Sequence, residues 1–512
     1  MAIAKNGTCI LCHVPLKNNY TDCILFETSA NRNSYFEDNT VQTLSDLSYT
    51  RVATNKIRVD CSASSAVNSN YCIVKNASYS SRAYYCFILD YEYINDNCYE
   101  FTIDVDVMTT YELDYVLKPC FVEREHSSSD AIGSHIEPEN VDLGDYIVNT
   151  KQTLGSTESI NLDDMSVIIM IAPDDGSTTS VIDGLAQGAI FEVTSADNPA
   201  LINELIAQYQ DKPDAIIGIY AVPSEVVNHR GAIVSQAGRT FSMTAKGITT
   251  STTIDGYTPK NKKLLTYPYN FLEVTNNQGG SLVTRFEFFD NMASPHFTCS
   301  SCISQPVTLV LNPSQYKKVG LYELESLTLS GYPTLSWKTS AFQQWVGQSA
   351  TPSVLSALTS AIVGTGISVV SGGSLAPVAM GLLGSATNVM SQGYTASAKA
   401  NNVRGTVGSG TPLLNANRNH FSAYRLSITA EYARRIDDYF TRFGYSCGRI
   451  KTPNRKARKS FNYIKTNGCS IVNTERGIPQ EDFSKICSIY DNGVTFWRYG
   501  KTVGDYSQDN TL

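Results

Sequence analysis

The chain has 512 residues, enough for two to four domains and a large apolar core. Its 40 basic and 48 acidic residues leave a formal charge of -8, which argues against a general nucleic-acid binder. Charged residues make up only 17%, while Tyr reaches 30, a profile that fits a β-rich structural or surface protein better than a soluble metabolic enzyme.

In chain order, Met1-Ala2-Ile3-Ala4-Lys5-Asn6-Gly7 holds no apolar run, so no secretory signal is expected. Thirteen cysteines, an odd number without compact spacing, point to buried, reduced thiols made in a cytosol. Cys9, Cys12 and His13 match the C-x-x-C-H pattern of covalent haem attachment. That chemistry needs an exported chain, and the motif opens a strand, so the match is set aside. Residues 1–125 read as strands and turns. Lys56–Asp60 alternates, as does the run from Glu100 to Val107, with apolar residues on one face. Between them, Tyr84 to Leu89 is an aromatic-rich buried strand before the turn at Asn95, Asp96 and Asn97.

Residues 127–160 are polar, and the β-rich first part is taken as 1–150. An α+β insertion is expected over 151–260, from a strand at 165–172, a short amphipathic helix at 198–209 and a strand at 214–222. The β pattern resumes over 261–338, with a hairpin hinged on Asn276, Asn277, Gln278, Gly279 and Gly280. Cys299 and Cys302, with His296 nearby, offer zinc-type donors that pair with Cys9 and Cys12 only across a long sequence gap. Glu123, Glu125, Asp163 and Asp164 offer carboxylates, yet no nucleophile-elbow, metalloprotease, phosphate-loop or dinucleotide motif surrounds them. No catalytic residue, metal or cofactor is expected.

The next segment, 339–400, stands apart: residues 339–398 contain no Asp, Glu, Lys or Arg. Two apolar runs lie inside it. The first holds Val354, Leu355, Leu358, Ile362, Val363, Ile367, Val369 and Val370; the second holds Leu375, Val378, Met380, Leu382, Leu383, Val389 and Met390. The second run has helical spacing, with Ser374 as N-cap and Pro377 in the first turn. At about 1.5 Å per residue each run makes a helix of roughly 25 Å, slightly short of a hydrocarbon core of about 30 Å. Three readings compete here: a helical hairpin buried in an oligomer, a constitutive membrane anchor, and a conditionally exposed membrane-active loop.

The C-terminal part, 401–512, opens with a Gly/Asn-rich link. A strand at 423–428 then runs into a helix at Ala430–Phe443 that ends at Gly444. Strands at 461–465 and 494–498 flank a second helix near 479–490. Arg449, Lys451, Arg455, Lys456, Arg458 and Lys459 put six cations into eleven residues of an acidic chain. Such a run serves as a solvated or subunit-contacting face, or as a contact for a nucleic-acid backbone.

Three blocks together resemble the distal tail-tube, or tail-knob, proteins of small short-tailed phages of Gram-positive bacteria. The first is Val14-Pro15-Leu16-Lys17-Asn18-Asn19-Tyr20 with Ser34-Tyr35-Phe36. The second runs from Phe101 through Asp104, Asp106 and Tyr111 to Glu123-Arg124-Glu125-His126. The third runs from Ala430 through Arg442-Phe443-Gly444-Tyr445, Arg449 to Arg455 and Arg458 to Tyr463, ending in Asp491 to Trp497. They cover roughly 1–150 and 400–512.

The resemblance implies a fold that is mainly β with some α: a β-barrel tail-tube-like domain, an α+β knob insertion and a hydrophobic helical or irregular loop. It also implies a homo-hexameric ring around a channel for phage DNA, partnered by the proximal tail or lower collar and the tail-tip protein. In this family a hydrophobic loop before the C-terminal block plugs the tube and later opens the host cytoplasmic membrane. The virion tail is the implied location. The 151–260 segment shows little of the likeness, and the Cys9/Cys12 pair is outside the family pattern. The rival readings are a purely structural or receptor-binding tail component whose apolar loop is an oligomer core, and an independent pore-forming protein.

Overall fold

The computed structural model describes residues 7–47, 51–53, 55–76, 80–154, 165–171, 190–195, 215–223, 232–233, 240–277, 279–302, 308–317, 326–329, 334–337, 405–407, 420–473 and 477–511. They fall into two units. The first contains Met1–Asp142, Pro259–Leu264 and Glu431–Leu512; the second contains Leu143–Thr258 and Leu265–Ala430. The ends of the chain therefore belong to one unit, and the middle returns to it briefly at Pro259–Leu264.

The N-terminal half of the first unit supplies β1 (Gly7–Cys12), β2 (Asp22–Ile24), β3 (Thr40–Leu47), β4 (Arg51–Ala53), β5 (Lys56–Asp60), β6 (Tyr71–Asn76), β7 (Ser80–Asn95), β8 (Cys98–Val105), β9 (Tyr115–Leu117) and β10 (Cys120–Glu125). Seven of these form an antiparallel sheet in the order β3-β1-β6-β7-β8-β5-β4. Three short helices interrupt the strands: α1 (Ser29–Asp38), α2 (Ala63–Val67) and α3 (Val107–Tyr111). Strands and turns alone were expected for 1–125. Helix α1 carries no apolar periodicity and buries only Phe36, so what marks it is its N-cap, where Thr28 Oγ1 accepts the Asn31 N–H at 3.1 Å. The alternation read through Val107 stops at Val105 for a similar reason. Asp106 Oδ1 accepts the Met108 and Thr109 N–H groups at 3.1 Å each, and its Oδ2 accepts from Thr109 Oγ1 at 2.7 Å and Tyr71 Oη at 2.8 Å. Strand β7 is also longer than the buried stretch 84–89, and from Leu89 to its end it is exposed.

The second unit holds β11 (Tyr146–Leu154), β12 (Met165–Ile171), β13 (Ile190–Ser195), β14 (Ile216–Pro223), β15 (Ala232–Ile233), β16 (Thr240–Thr244), β17 (Asn270–Thr275), β18 (Ser281–Thr284), β19 (His296–Cys302), β20 (Thr308–Ser314), β21 (Leu327–Leu329), β22 (Thr334–Trp337), β23 (Gly405–Val407) and β24 (Phe421–Ile428). They make three sheets, ordered β11-β24-β17-β18, β15-β13-β12-β14-β22-β23 and β16-β19-β20-β21. The hairpin expected around Asn276 is the β17–β18 pair. Strands β11 and β13 were not expected, because β11 sits in polar sequence. The helix expected at 198–209 lies outside the described residues. A core of Leu154, Leu272, Phe286, Phe297, Leu309, Phe421 and their neighbours underlies these sheets. Burying a side chain of this size contributes about 1.5–3 kcal/mol.

The chain re-enters the first unit through α4 (Ala430–Phe443), β25 (Tyr445–Lys451), β26 (Phe461–Asn467), β27 (Ile471–Asn473), α5 (Gln480–Asn492) and β28 (Val494–Trp497). A five-stranded sheet, β2-β28-β26-β10-β25, joins both ends of the sequence, and its β2–β28 pair is parallel. Tyr71 and Phe87 from the first sheet, Ile464 and Phe496 from the second, and Ile486 of α5 share one core. On α4, Ala433, Ile436 and Phe440 are buried at helical spacing. Buried Asp437 on the same face accepts the Lys260 and Asn261 N–H groups at 2.8 and 3.0 Å, which holds Pro259–Leu264 in this unit.

Candidate contact surface

The six C-terminal cations sit on β25 and the turn after it, opposite the carboxylates of β10. Lys451 Nζ donates to Glu125 Oε1, and Glu125 Oε2 accepts the Asn454 N–H at 3.3 Å. Lys465 Nζ donates to Glu123 Oε1 at 2.8 Å. Arg124 pairs with Glu139 and donates to the Gly444 carbonyl at 2.6 Å, while Lys263 Nζ donates to the other Glu139 oxygen at 2.6 Å. Thus the acidic run Glu123 to Glu125 and the cations downstream of Gly444, separated by hundreds of residues in sequence, neutralise each other across one sheet.

Three of the remaining cations also meet carboxylates. Lys456 pairs with Glu27 at 2.9 Å and Lys459 with Asp509 at 3.4 Å. Arg458 is buried, and its backbone N–H donates to Asn462 Oδ1 at 2.7 Å. Arg455 lies between the rings of Tyr115 and Phe496, 3.8 Å from Glu112. Burial pushes the Glu112 carboxyl up to about 8, against the pull of Arg455 and of the Phe26 N–H, which donates to it at 3.1 Å. Arg449 differs: it is exposed on β25 and forms no ion pair among the described residues. Four of the six cations are therefore paired with carboxylates, the Lys456 and Lys459 pairs lying on the surface.

His126 closes the β10 segment. Its Nε2 donates to the Thr441 carbonyl at 3.0 Å and its Nδ1 accepts the Tyr463 N–H at 2.7 Å, an arrangement that requires the neutral ring. Burial lowers its pKa from 6.5 to about 4, with Arg458 and Arg124 adding to the effect. The unfolded chain takes up the proton first, so this stabilisation is complete above pH 6.5 and is lost as pH falls toward 4. Thermal unfolding should show a midpoint that drops between pH 7 and pH 4, by up to about 3 kcal/mol of stability at about 1.4 kcal/mol per unit. The drop should shrink in His126→Gln; an equal drop in that variant assigns the acid sensitivity to other groups.

Cys9 and Cys12 are fully buried in the first unit, and His13 is exposed, with Nδ1 3.1 Å from the Asn68 carbonyl oxygen. Cys299 is buried in the second unit. Among the described residues the cysteines are free thiols, and no group of three His, Cys, Asp or Glu side chains is arranged to hold a metal. Asp163 and Asp164 lie outside the described residues. So do all the apolar loop positions, Val354 to Val370 and Leu375 to Met390; no described helix is long and apolar enough to cross a membrane. The polar hubs at Asp106, Glu139 with Lys263, and Asp437 were not singled out from the sequence. Only Asp106, three residues before Thr109 at a strand's end, carries a local capping signal.

Residues 234–511, more than half of the chain, match the family described as Bacillus phage phi29, Tail knob protein gp9, C-terminal domain. The chain belongs to the tail knob protein family. Residues 6–116 match the family described as caudoviral major tail protein N-terminus. The tail knob protein gp9 of Bacillus phage PZA is 23% identical over 98% of both chains. That of Bacillus phage phi29 is 39% identical over 85 residues, 17% of this chain and 14% of the relative. The solved structure of the bacteriophage C1 tail knob protein, gp12, superposes with a TM-score of 0.61 over 98% of both chains, at 14% identity, so the fold is shared. This tail knob protein is accordingly a structural component of the virion tail, mainly β with some α.

Proposed function

We propose that this tail knob protein assembles as a hexameric ring that forms the distal tail tube and knob, a channel for DNA ejection. In this reading residues 1–150 and 401–512 build the tube wall, 151–260 form the knob insertion, and 261–338 continue the tube or knob. The apolar loop, 339–400, plugs the tube and then penetrates the host cytoplasmic membrane. The ring would join the proximal tail or lower collar on one side and a tail-tip protein on the other, and it has no catalytic role. The observation that carries this reading is how the uncharged stretch is framed. Strand β22 pairs antiparallel with β23, Trp337 opposite Gly405 and Leu335 opposite Val407, so the chain leaves and returns at one point. A long segment without charge, whose two ends meet in a two-stranded base, is suited to storage in a lumen and later release.

The charge pattern supports the channel. The chain is acidic, and all but one of the C-terminal cations are paired or buried within it, so phosphate passing through meets few binding groups. Sedimentation of the purified chain at micromolar concentration should give a closed ring of about six copies, since cyclic symmetry satisfies identical side-to-side contacts. Electron microscopy should show a central channel. Monomer alone at that concentration contradicts the assembly.

A further inference from the structure

We propose that Cys469 and Cys487 close a disulfide once the virion leaves the reducing host cytosol, clasping helix α5 to the turn after β26. Hydrogen bonds already hold the two segments together within the first unit. Asp491 lies four residues beyond Cys487 on α5, so the two share a helix face. The Asp491 Oδ1 accepts the Cys469 N–H at 3.0 Å and the Thr466 hydroxyl at 2.7 Å. The backbone of Cys469 is therefore fixed against the face that carries Cys487. Both side chains pack on the same core, and their thiols are in hydrogen-bond contact. A disulfide places its sulfurs about 2.0 Å apart, a short approach from such a contact.

Exposure singles out this pair. Cys72 and Cys86 stand directly opposite on β6 and β7 and also touch, but they are 0% and 1% exposed, beyond the reach of an oxidant. Cys120 touches Cys469 as well, yet it is buried. Cys469 and Cys487 are half-buried. Burial pushes both thiols above their ordinary value, so thiolate is scarce at neutral pH and the pair stays reduced within a thiol pool. The Cys469 S–H donates toward Cys487 and favours its thiolate, which makes Cys487 the first nucleophile. The oxidant is a small-molecule disulfide. The Cys487 thiolate attacks one of its sulfurs and expels the other as a thiolate. That thiolate takes the Cys469 proton, and the Cys469 sulfur then displaces the second small thiolate, which takes up the proton Cys487 had released. Two protein thiols are oxidised to one disulfide, and the small disulfide is reduced to two thiols. The bond closes a loop of about 20 residues, and restricting that loop in the unfolded chain favours the folded unit.

The full chain, purified in reductant and then held in oxidised glutathione, tests this by non-reducing peptide mass mapping. One linked species should appear, joining the peptides of Cys469 and Cys487, and its rate of formation should rise about tenfold from pH 7 to pH 8. The unfolding midpoint of the oxidised chain should lie roughly 5–10 °C above that of the reduced chain. Cys487→Ser should lose both the link and the shift, while Cys120→Ser should keep both, with circular dichroism to show that each variant folds. Virions held in aerated medium after lysis should carry the same bond, and virions alkylated inside the host cell should carry two free thiols. A wild-type chain that keeps both thiols after full treatment overturns the proposal. So does a link from Cys469 to Cys120, a link between copies, an oxidised chain with an unchanged midpoint, or stored virions that lack the bond.

Discussion

A chain carrying Leu382→Asp and Leu383→Asp should form rings and release no dye from liposomes that the wild-type chain empties once its loop is exposed. At the helical spacing read from the sequence, both residues share an apolar stripe with Leu375, Val378 and Val389. A charge at mid-helix costs about 2.5–3.5 kcal/mol on insertion scales, so two per copy cost about 5–7 kcal/mol, and a ring multiplies that by its copy number. No oligomer of moderate affinity offsets such a sum, and leakage should fall to background. Assembly should survive, since the β22–β23 base and both cores lie outside the loop. Failure of the variant to assemble, with no leakage by the exposed wild-type loop, would make the stretch a buried oligomer core. A peptide spanning Val354 to Met390 should permeabilise the same liposomes, and the folded ring at neutral pH should do so far less.

Gly444→Ala should be among the most damaging single changes in the first unit. Gly444 follows α4 with φ +66°, a conformation that L side chains adopt only at a cost of about 1 kcal/mol. Its N–H donates to the Phe440 carbonyl at 2.8 Å and ends the helix. A Cβ there would collide with the Glu125 carbonyl and lie 2.5 Å from the His126 nitrogen, both backbone atoms that cannot swing away. Forcing α4 and β10 apart adds about 1–3 kcal/mol, for a total of about 2–4 kcal/mol. Gly468→Ala is the control: φ is +70°, but nothing lies within 4 Å of the added atom, so only the strain of about 1 kcal/mol should appear. Chemical denaturation compares the two; equal losses would mean that the close approach to β10 is relieved at no cost.

The parts of the fold legible in the sequence are those whose signal is local. Helix α4 has an apolar stripe of Ala433, Ile436 and Phe440 and a terminal glycine, and the β17–β18 hairpin has its Asn/Gly hinge. Helix α1 and strand β11 lack such signals, because a single buried Phe36 and a polar strand at the edge of a sheet are decided by tertiary partners. The same limit applies to the contact surface. The run from Arg449 to Lys459 reads equally as a solvated or subunit-contacting face or as a nucleic-acid contact, because sequence shows cations and not their partners. The carboxylates that engage them, Glu27, Glu112, Glu125 and Asp509, come from distant segments. What sequence does show without help is the missing charge over 339–398, since absence of charge needs no partner to be read.

The central claim, that this loop opens the host membrane for DNA, is tested most directly in the virion. Phage particles carrying Leu382→Asp and Leu383→Asp in every copy should assemble complete tails and adsorb to host cells at the wild-type rate. Their DNA should stay outside the cytoplasm, measured as genome copies protected from external nuclease at the cell surface compared with copies inside. DNA entry by these particles at the wild-type rate would contradict the account.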